Sequence, residues 1–335
     1  MKFIIITIIF VVLLLFPVNA VHADSIPTWI KQIAGWWVDG TIDDEEFQDA
    51  IQYILQNKII YIDSELPISF QQTIAELEIK QKAHLAITIM HLRSEIVKFL
   101  SELSEVQSFA ILSSSYNNIS SDNQFLKNNL SLKLSKFTET SKLIDHVRIL
   151  DLSGMEILRI NNIDGVSILT PDSELQDKSD RYYFQESIKL GIDDVYVSKV
   201  DLNEEHGQIE IPYKPTIRIA SIIHNSSNEY VGILIVNYNL GEFLHEISES
   251  NFCNMVIFDS DGIAVHHYDK TKEFGLQTGT NYSYYDEHPE LKQIERENIS
   301  WYVDASHDVT IFLEKITLDD SGRSAHFACE LKLIE

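Results

Sequence analysis

The sequence predicts an α+β protein: a long N-terminal helix, then two similar lobes in which a helix lies across an antiparallel sheet, all preceded by a small helical hairpin. Three observations carry this. Residues from Phe70 to about Ile111 are free of glycine and proline, and Leu92, Ile96, Phe99, Leu103 and Val106 follow spacings of four and three. His146–Ile160 (HVRILDLSGMEILRI) and Cys253–His267 (CNMVIFDSDGIAVHH) repeat one pattern: strand, a four-residue turn with Asp first and Gly fourth, strand. Between them, Leu175–Leu240 reads as a polar loop, a short helix starting near Asp180, and strands Val195–Val200, Thr216–His224 and Tyr230–Tyr238, with an acidic loop after the first strand.

The chain has 335 residues, 44% hydrophobic and 23% charged, which is globular and long enough for two domains plus a segment. A formal net charge of −25 argues against nucleic acid and anionic membrane surfaces as partners. Lys2, the apolar run Phe3–Phe16 and the small-residue site ending at Ala20 have the three parts of a secretory signal peptide over residues 1–20. An uncleaved anchor is the alternative. No later stretch is apolar enough to cross a bilayer. The mature chain is therefore expected to be extracytoplasmic, secreted or anchored to the outer face of the membrane. Five N-x-S/T sequons, at Asn118, Asn129, Asn225, Asn281 and Asn298, add weak support.

Residues 25–62 predict the helical hairpin. Trp29, Ile33 and Trp36/Trp37 repeat at helical spacing, Gly40 stops the first helix, and Phe47, Ile51, Ile54 and Leu55 form the apolar face of the second. Trp29, Trp36, Trp37, Gly40, Ile42, Asp44 and Phe47 resemble a short module near the N-termini of extracytoplasmic proteins of ammonia-oxidising archaea. Clustered tryptophans read first as a small core, second as a carbohydrate- or envelope-binding face. Residues 66–145 are the stalk: the long helix, broken by the Ser/Asn cluster Ser113–Asn123, then a second helix to about Ile144. Its seam fits either packing along its own domain or pairing with a second protomer.

The first lobe spans 146–247 and the second 250–335. Their turns start at Asp151 and Asp259, 108 residues apart. Each hairpin is followed by a helix, Tyr182–Leu190 or Pro289–Glu297. The second lobe closes with strands Trp301–Ala305, Val309–Leu318 and Ser324–Ile334. Two such units suggest PAS-type lobes in tandem. The arrangement resembles the double Cache domain of extracytoplasmic receptors. RILDLSGMEILRI, LQDKSDRYYF, VYVSKVDLN and VGILIVNYNL carry the resemblance in the first lobe; FDSDGIAVHHYDKTKEFGLQTG and DEHPEL carry it in the second.

An enzymatic reading exists and is weak. MVIFDSDGIAV resembles the first motif of haloacid dehalogenase-type phosphatases, with Asp259 as nucleophile and Asp261 as general acid. Only 74 residues follow Asp261, and they read as antiparallel strands with one helix, the wrong context for that chemistry. His266 and His267 are adjacent on a strand and point to opposite faces, so no metal or other cofactor is expected.

The functional expectation rests on arginines. Arg148, Arg159, Arg181 and Arg218 fall in or beside the strands and helix of one lobe, where surface pairing with the many acids is the competing explanation. Arg181, Tyr183, Tyr196, Ser198 and Arg218 sit where a pocket between helix and sheet would be lined. The resemblance implies more. Arg181, Tyr183 and Phe184 match the run that holds the ligand carboxylate in amino-acid-binding double Cache domains. Gln176 stands where these have a tyrosine for the amine, and Ser198 and Asn237 stand where they have acids. That points to a carboxylate or other small anion rather than an amino acid, with Arg181 as the main contact and Arg159 as a lesser one. Cys253 and Cys329, the only cysteines, lie on what should be the first and last strands of the second lobe, neighbours in a PAS-type sheet, and are expected to form a disulfide.

These features predict a non-enzymatic extracytoplasmic sensor of a small carboxylate-like molecule. A structural or envelope-interaction protein is the rival reading. With no second apolar span after the lobes, output is expected through a membrane-bound partner, and the stalk helix is the expected surface for a homodimer.

Overall fold

The computed structural model describes residues 32, 33, 35–37, 40–56, 68–115, 121–205, 207–319 and 322–332. The signal segment, Trp29 and the Asn118 sequon lie outside these residues. The chain divides into two compact units, residues 1–77 and 78–335.

In the first unit, α1 (Asp44–Gln56) begins with a reciprocal cap: the Glu46 amide donates to Asp43 Oδ1 at 3.0 Å, and the Asp43 amide donates to Glu46 Oε2 at 3.1 Å. Gly40 takes a left-handed conformation (φ 74°) in the turn before it, which lets the Trp37 ring stack on Phe47 with centroids 4.6 Å apart. Ile33, Ile42 and Ala50 are buried, whereas Trp36 is half-buried and Trp37 is 42% exposed, so the core of this unit among the described residues is aliphatic and not the tryptophan core that the sequence suggested.

The long helix is two helices. α2 (Ile68–Glu102) ends at Leu103 and α3 (Ser104–Ser115) follows at once. The Leu103 amide reaches back only to Leu100, and the Ser101 hydroxyl bonds the Lys98 carbonyl, side-chain competition of the kind that bends helices. α4 (Ser121–Thr138) stops six residues short of the expected Ile144 because β1 (Ile144–Leu150) already starts there.

The first lobe continues through β2 (Glu156–Ile163), β3 (Val166–Leu169), α5 (Tyr182–Ser187) and β4 (Val195–Val197). The acidic loop is not irregular. It holds β5 (Asp201–Leu202) and a small hairpin, β6 (Glu204–Glu205) with β7 (Gln208–Ile209). β8 (Pro215–His224), β9 (Tyr230–Asn239) and α6 (Gly241–Ser248) complete it. The sheet order is β3-β2-β1-β9-β8-β4, antiparallel, with β5 added on β8. One face packs on α3 and α4 through Val106, Phe109, Ala110, Leu130 and Leu134, all buried. The other face carries α5 and the candidate site.

The second lobe contains β10 (Asn254–Asp259), β11 (Ala264–His266), the short helices α7 (Gly275–Thr278), α8 (Tyr284–Glu287) and α9 (Leu291–Arg296), then β12 (Trp301–Asp304), β13 (Val309–Thr317) and β14 (Ser324–Lys332). Its sheet order is β11-β10-β14-β13-β12. Cys329 lies opposite Met255 in the ladder, and Cys253, one residue before β10, is joined to it by a disulfide with Cα atoms 5.5 Å apart.

The repeated Asp turn has one explanation in both lobes. Asp151 Oδ1 accepts from the amides of Ser153 and Met155, and Asp259 Oδ1 from those of Asp261 and Ile263. The glycine at the fourth position has φ 96° at Gly154 and 84° at Gly262. At Gly262 a Cβ would also fall 2.5 Å from Ser283 Oγ.

Candidate ligand site

Strand pleating decides which side chains meet. Arg148 on β1 lies opposite Arg159 on β2, Arg218 on β8 lies opposite Asn237 on β9, and His146 lies opposite both Asn161 and Asn237. Two residues further along the same strands come Leu150, Ile235 and Ala220, packed beneath Tyr183, Phe184 and Tyr196. One sheet face is thus half apolar core and half a row of buried cations and amides. Arginines directly opposite one another repel, so this row holds only if carboxylates reach it.

They come from the acidic segment. Glu205 on β6 accepts from Arg159 twice, Nη2 to Oε1 at 2.8 Å and Nη1 to Oε2 at 3.2 Å, and from Arg148 Nη2 at 3.3 Å. Gln176 Nε2 adds a longer bond at 3.4 Å. Burial raises the Glu205 pKa, but the Arg159 bonds and the two guanidinium charges outweigh it and hold the group at about 2. Arg148 Nε also lies 3.2 Å from Glu156 Oε1. Arg218 donates to Asp201 Oδ1 at 2.5 Å; burial opposes its charge, yet Asp201 keeps its pKa raised. Arg181, the residue before α5, donates to Glu204 Oε2 at 2.8 Å at the rim, where both side chains are about a quarter exposed. Burial lowers Lys178 to about 8, and its Nζ donates to Gln176 Oε1 at 2.6 Å.

The expected site residues divide into three groups. Arg181, Arg218 and Asn237 belong to the polar row or its rim, and the Tyr183 ring lies under both arginines, its centroid 5.8 Å from the Arg181 guanidinium carbon and 5.0 Å from that of Arg218. Phe184 and Tyr196 are core, and the Tyr196 ring is covered by the Arg323 guanidinium at 4.9 Å. The Ser198 hydroxyl accepts from the Arg218 amide and donates to the Lys199 carbonyl, so it is committed to backbone. Arg148 and Arg159 are not surface pairs: both are buried, and Arg159 grips Glu205 by two bonds while Arg148 adds a single one. Sequence reasoning missed Glu205, Asp201 and His146. Their partners lie 17 to 57 residues away for the two acids, beyond the reach of any local pattern.

Several buried polar atoms here lack a hydrogen-bond partner: Asn237 Nδ2, Arg218 Nε and both ring nitrogens of His146. His146 Nε2 still lies 2.9 Å from Asp145 Oδ2. Beside this row opens a cleft of about 550 Å³, lined among others by His146, Arg159, Asn161, Gln176, Glu205 and Lys214. A smaller cleft of about 370 Å³ runs between Lys199-Val200 and the second-lobe residues Asp259–Asp261 and Arg323–Ala325. The larger one has the buried cations on its wall and is the candidate site.

Two antiparallel lobes behind a long helix, with an ion-lined cleft in the first, define a double Cache type of sensor domain. A model of the bacterial histidine kinase sensor domain matches residues 92–326, more than two thirds of the chain, and the chain belongs to that family. The fold is similar to a domain of a sensory box/GGDEF family protein from Vibrio parahaemolyticus (TM-score 0.67, 17% identity, 79% of this chain and 97% of that one). It is also similar to the extracellular domain of a histidine kinase (TM-score 0.66, 16% identity, 78% and 91%). The ligand-binding domain of the Pseudomonas fluorescens chemoreceptor CtaA, solved with L-serine, shares the fold at TM-score 0.50 and 13% identity, covering 78% and 97%. No match was found among curated proteins. Among the described residues, no helix is long and apolar enough to cross a membrane.

Proposed function

We propose that this chain is a non-enzymatic, extracytoplasmic sensor that binds a small carboxylate or similar anion in its first lobe. The observation that carries this is the Glu205 carboxylate, forked by Arg159 and capped by Arg148. The pocket wall is already shaped around a carboxylate, held by the protein itself. A ligand carboxylate entering from the adjoining cleft takes that grip, and Glu205 leaves with its hairpin. Exchange of one anion for another is the differential interaction a population shift requires. The serine complex of the chemoreceptor relative gives the ligand size this class of pocket takes. A panel of mono- and dicarboxylates should yield at least one compound that raises the melting temperature, with a stabilisation that grows as the logarithm of its concentration above Kd. Against that compound, Arg159→Lys, which keeps the charge and loses the fork, should weaken binding by about tenfold or more. Arg181→Ala, at the rim, should weaken it less. Unchanged affinity in both variants by calorimetry would refute the site.

We also propose a homodimer through α2. Leu85, Leu92 and Phe99 are 50%, 60% and 62% exposed, and half-buried Ile89 and Ile96 fall between them, giving spacings of 4, 3, 4 and 3 along one face. The domain-facing side of the helix is a separate set, Ala86, Met90, Val97 and Leu100. A stripe of 3.5-residue period that its own domain leaves exposed fits a second copy of the same helix. Leu92→Glu should convert a dimer to a monomer in sedimentation equilibrium. A wild-type chain that is already monomeric would count against the proposal.

A further inference from the structure

We propose a divalent transition-metal site in the second lobe, held by His288, Asp304 and His307. The three residues come from separate places: His288 from the link between α8 and α9, Asp304 from the end of β12, and His307 from the turn into β13. Nδ1 of His288 lies 2.6 Å from Asp304 Oδ2, and Nδ1 of His307 lies 2.8 Å from the same oxygen. The ligating atoms all fall within 4.8 Å of one another. A cation with bonds of about 2.0–2.1 Å needs donor atoms roughly 3.3 Å apart. The two contacts of Asp304 with the imidazoles would have to open by about half an ångström, and these hydrogen bonds, with the one of 2.9 Å between Ser306 Oγ and His307 Nδ1, would give way to metal bonds.

The surroundings orient each ligand. Asp304 Oδ1 is held by the Ser306 amide at 2.9 Å and hydroxyl at 2.5 Å, which leaves Oδ2 turned to the rings. The far nitrogen of His288, Nε2, lies 3.7 Å from Glu330 Oε1. Glu330 is itself fixed by hydroxyls of Tyr284 at 2.8 Å and Tyr268 at 3.0 Å. Without an ion Nδ1 carries the proton it shares with Asp304; metal binding would displace that proton to solvent, with the remaining one on Nε2 facing Glu330. His288 and Asp304 are buried while His307 is 41% exposed, so the site opens to solvent on one side for entry and for a water ligand. Two imidazoles and one carboxylate suit zinc, cobalt or nickel rather than calcium or magnesium. The bound ion would tie the β12–β13 turn to the α8–α9 segment.

The test uses the whole chain, stripped with a chelator and titrated with zinc or cobalt chloride alone. One equivalent should bind, raise the melting temperature, and with cobalt give visible absorption of a four- or five-coordinate site. His307→Ala removes an exposed ligand and should leave the apo fold intact while weakening zinc binding by about 100-fold. Asp304→Asn, which retains an acceptor for Ser306, should do the same and abolish the cobalt spectrum. If the wild-type chain takes up no stoichiometric metal, or if both variants bind like wild type, the three side chains form a hydrogen-bonded cluster only and the proposal is wrong.

Discussion

Glu205→Ala should cost the folded protein about 3 kcal/mol, the lower end for breaking a buried ion pair, because this carboxylate is still partly exposed. Its removal leaves Arg148 and Arg159 facing one another across adjacent strands without their shared anion. The loss should be reversible by a probe: acetate at ten times its own Kd would return about 1.4 kcal/mol. pH offers a second check. Glu205 is held near 2, below the ordinary glutamate value, so its contribution is fully present above about pH 4.5 and disappears as pH falls toward 2. The variant should have a flatter acid limb over that window. Chemical denaturation with and without acetate, repeated from pH 2 to 6, measures both. No loss on substitution would mean that Glu205 is not the counterion. A loss that acetate does not repair would mean that the arginine pair cannot accept a ligand carboxylate.

Loss of the disulfide should cost about 4 kcal/mol, the chain-entropy value for closing a loop of this length. Cys253 and Cys329 are separated by 76 residues, so nearly the whole second lobe lies inside the closed loop. Cys329 is fully buried between strands, and a Cys329→Ala variant adds a packing defect. Cys253→Ser, at the strand entrance, isolates the cross-link better. Denaturation of wild type, reduced wild type and Cys253→Ser should give one value for the last two and a higher one for the first. Equal stabilities in all three would show that the bond contributes nothing to folding.

Much of this architecture was legible because it is written in short periods. The Asp-x-x-Gly turns at Asp151 and Asp259 marked both hairpins, since the side chain that makes such a turn bonds backbone within four residues. The strands of the central sheet were read to within a residue or two at β8 and β9, where β-branched runs meet an Asn/Ser turn. Legibility failed where long-range pairing took over. The segment around Glu204 reads as a charged loop, because nothing local says that Glu205 folds back onto arginines 46 and 57 residues earlier. The seam on α2 was visible as a 4-3 repeat, but the same spacing describes a buried face and an exposed one. Leu103 and Val106 belong to the bend and to α3, whereas Leu92 and Phe99 face outward. For the same reason His288, Asp304 and His307 drew no notice in the sequence, while the adjacent His266 and His267 did.

Strand β8 does two jobs at once. Arg218 points into the cation row, and Ser221, three residues on and therefore on the opposite face, shares a buried hydrogen bond of 3.1 Å with Ser101 near the end of α2. A rigid strand cannot slide toward a ligand on one side without tugging the helix on the other, since a close-packed interior has no slack to absorb the difference. The serine pair acts as a pin between piston and rod. A displacement of β8 at Arg218 would therefore bear on α2 at Ser101, two residues before the Leu103 bend.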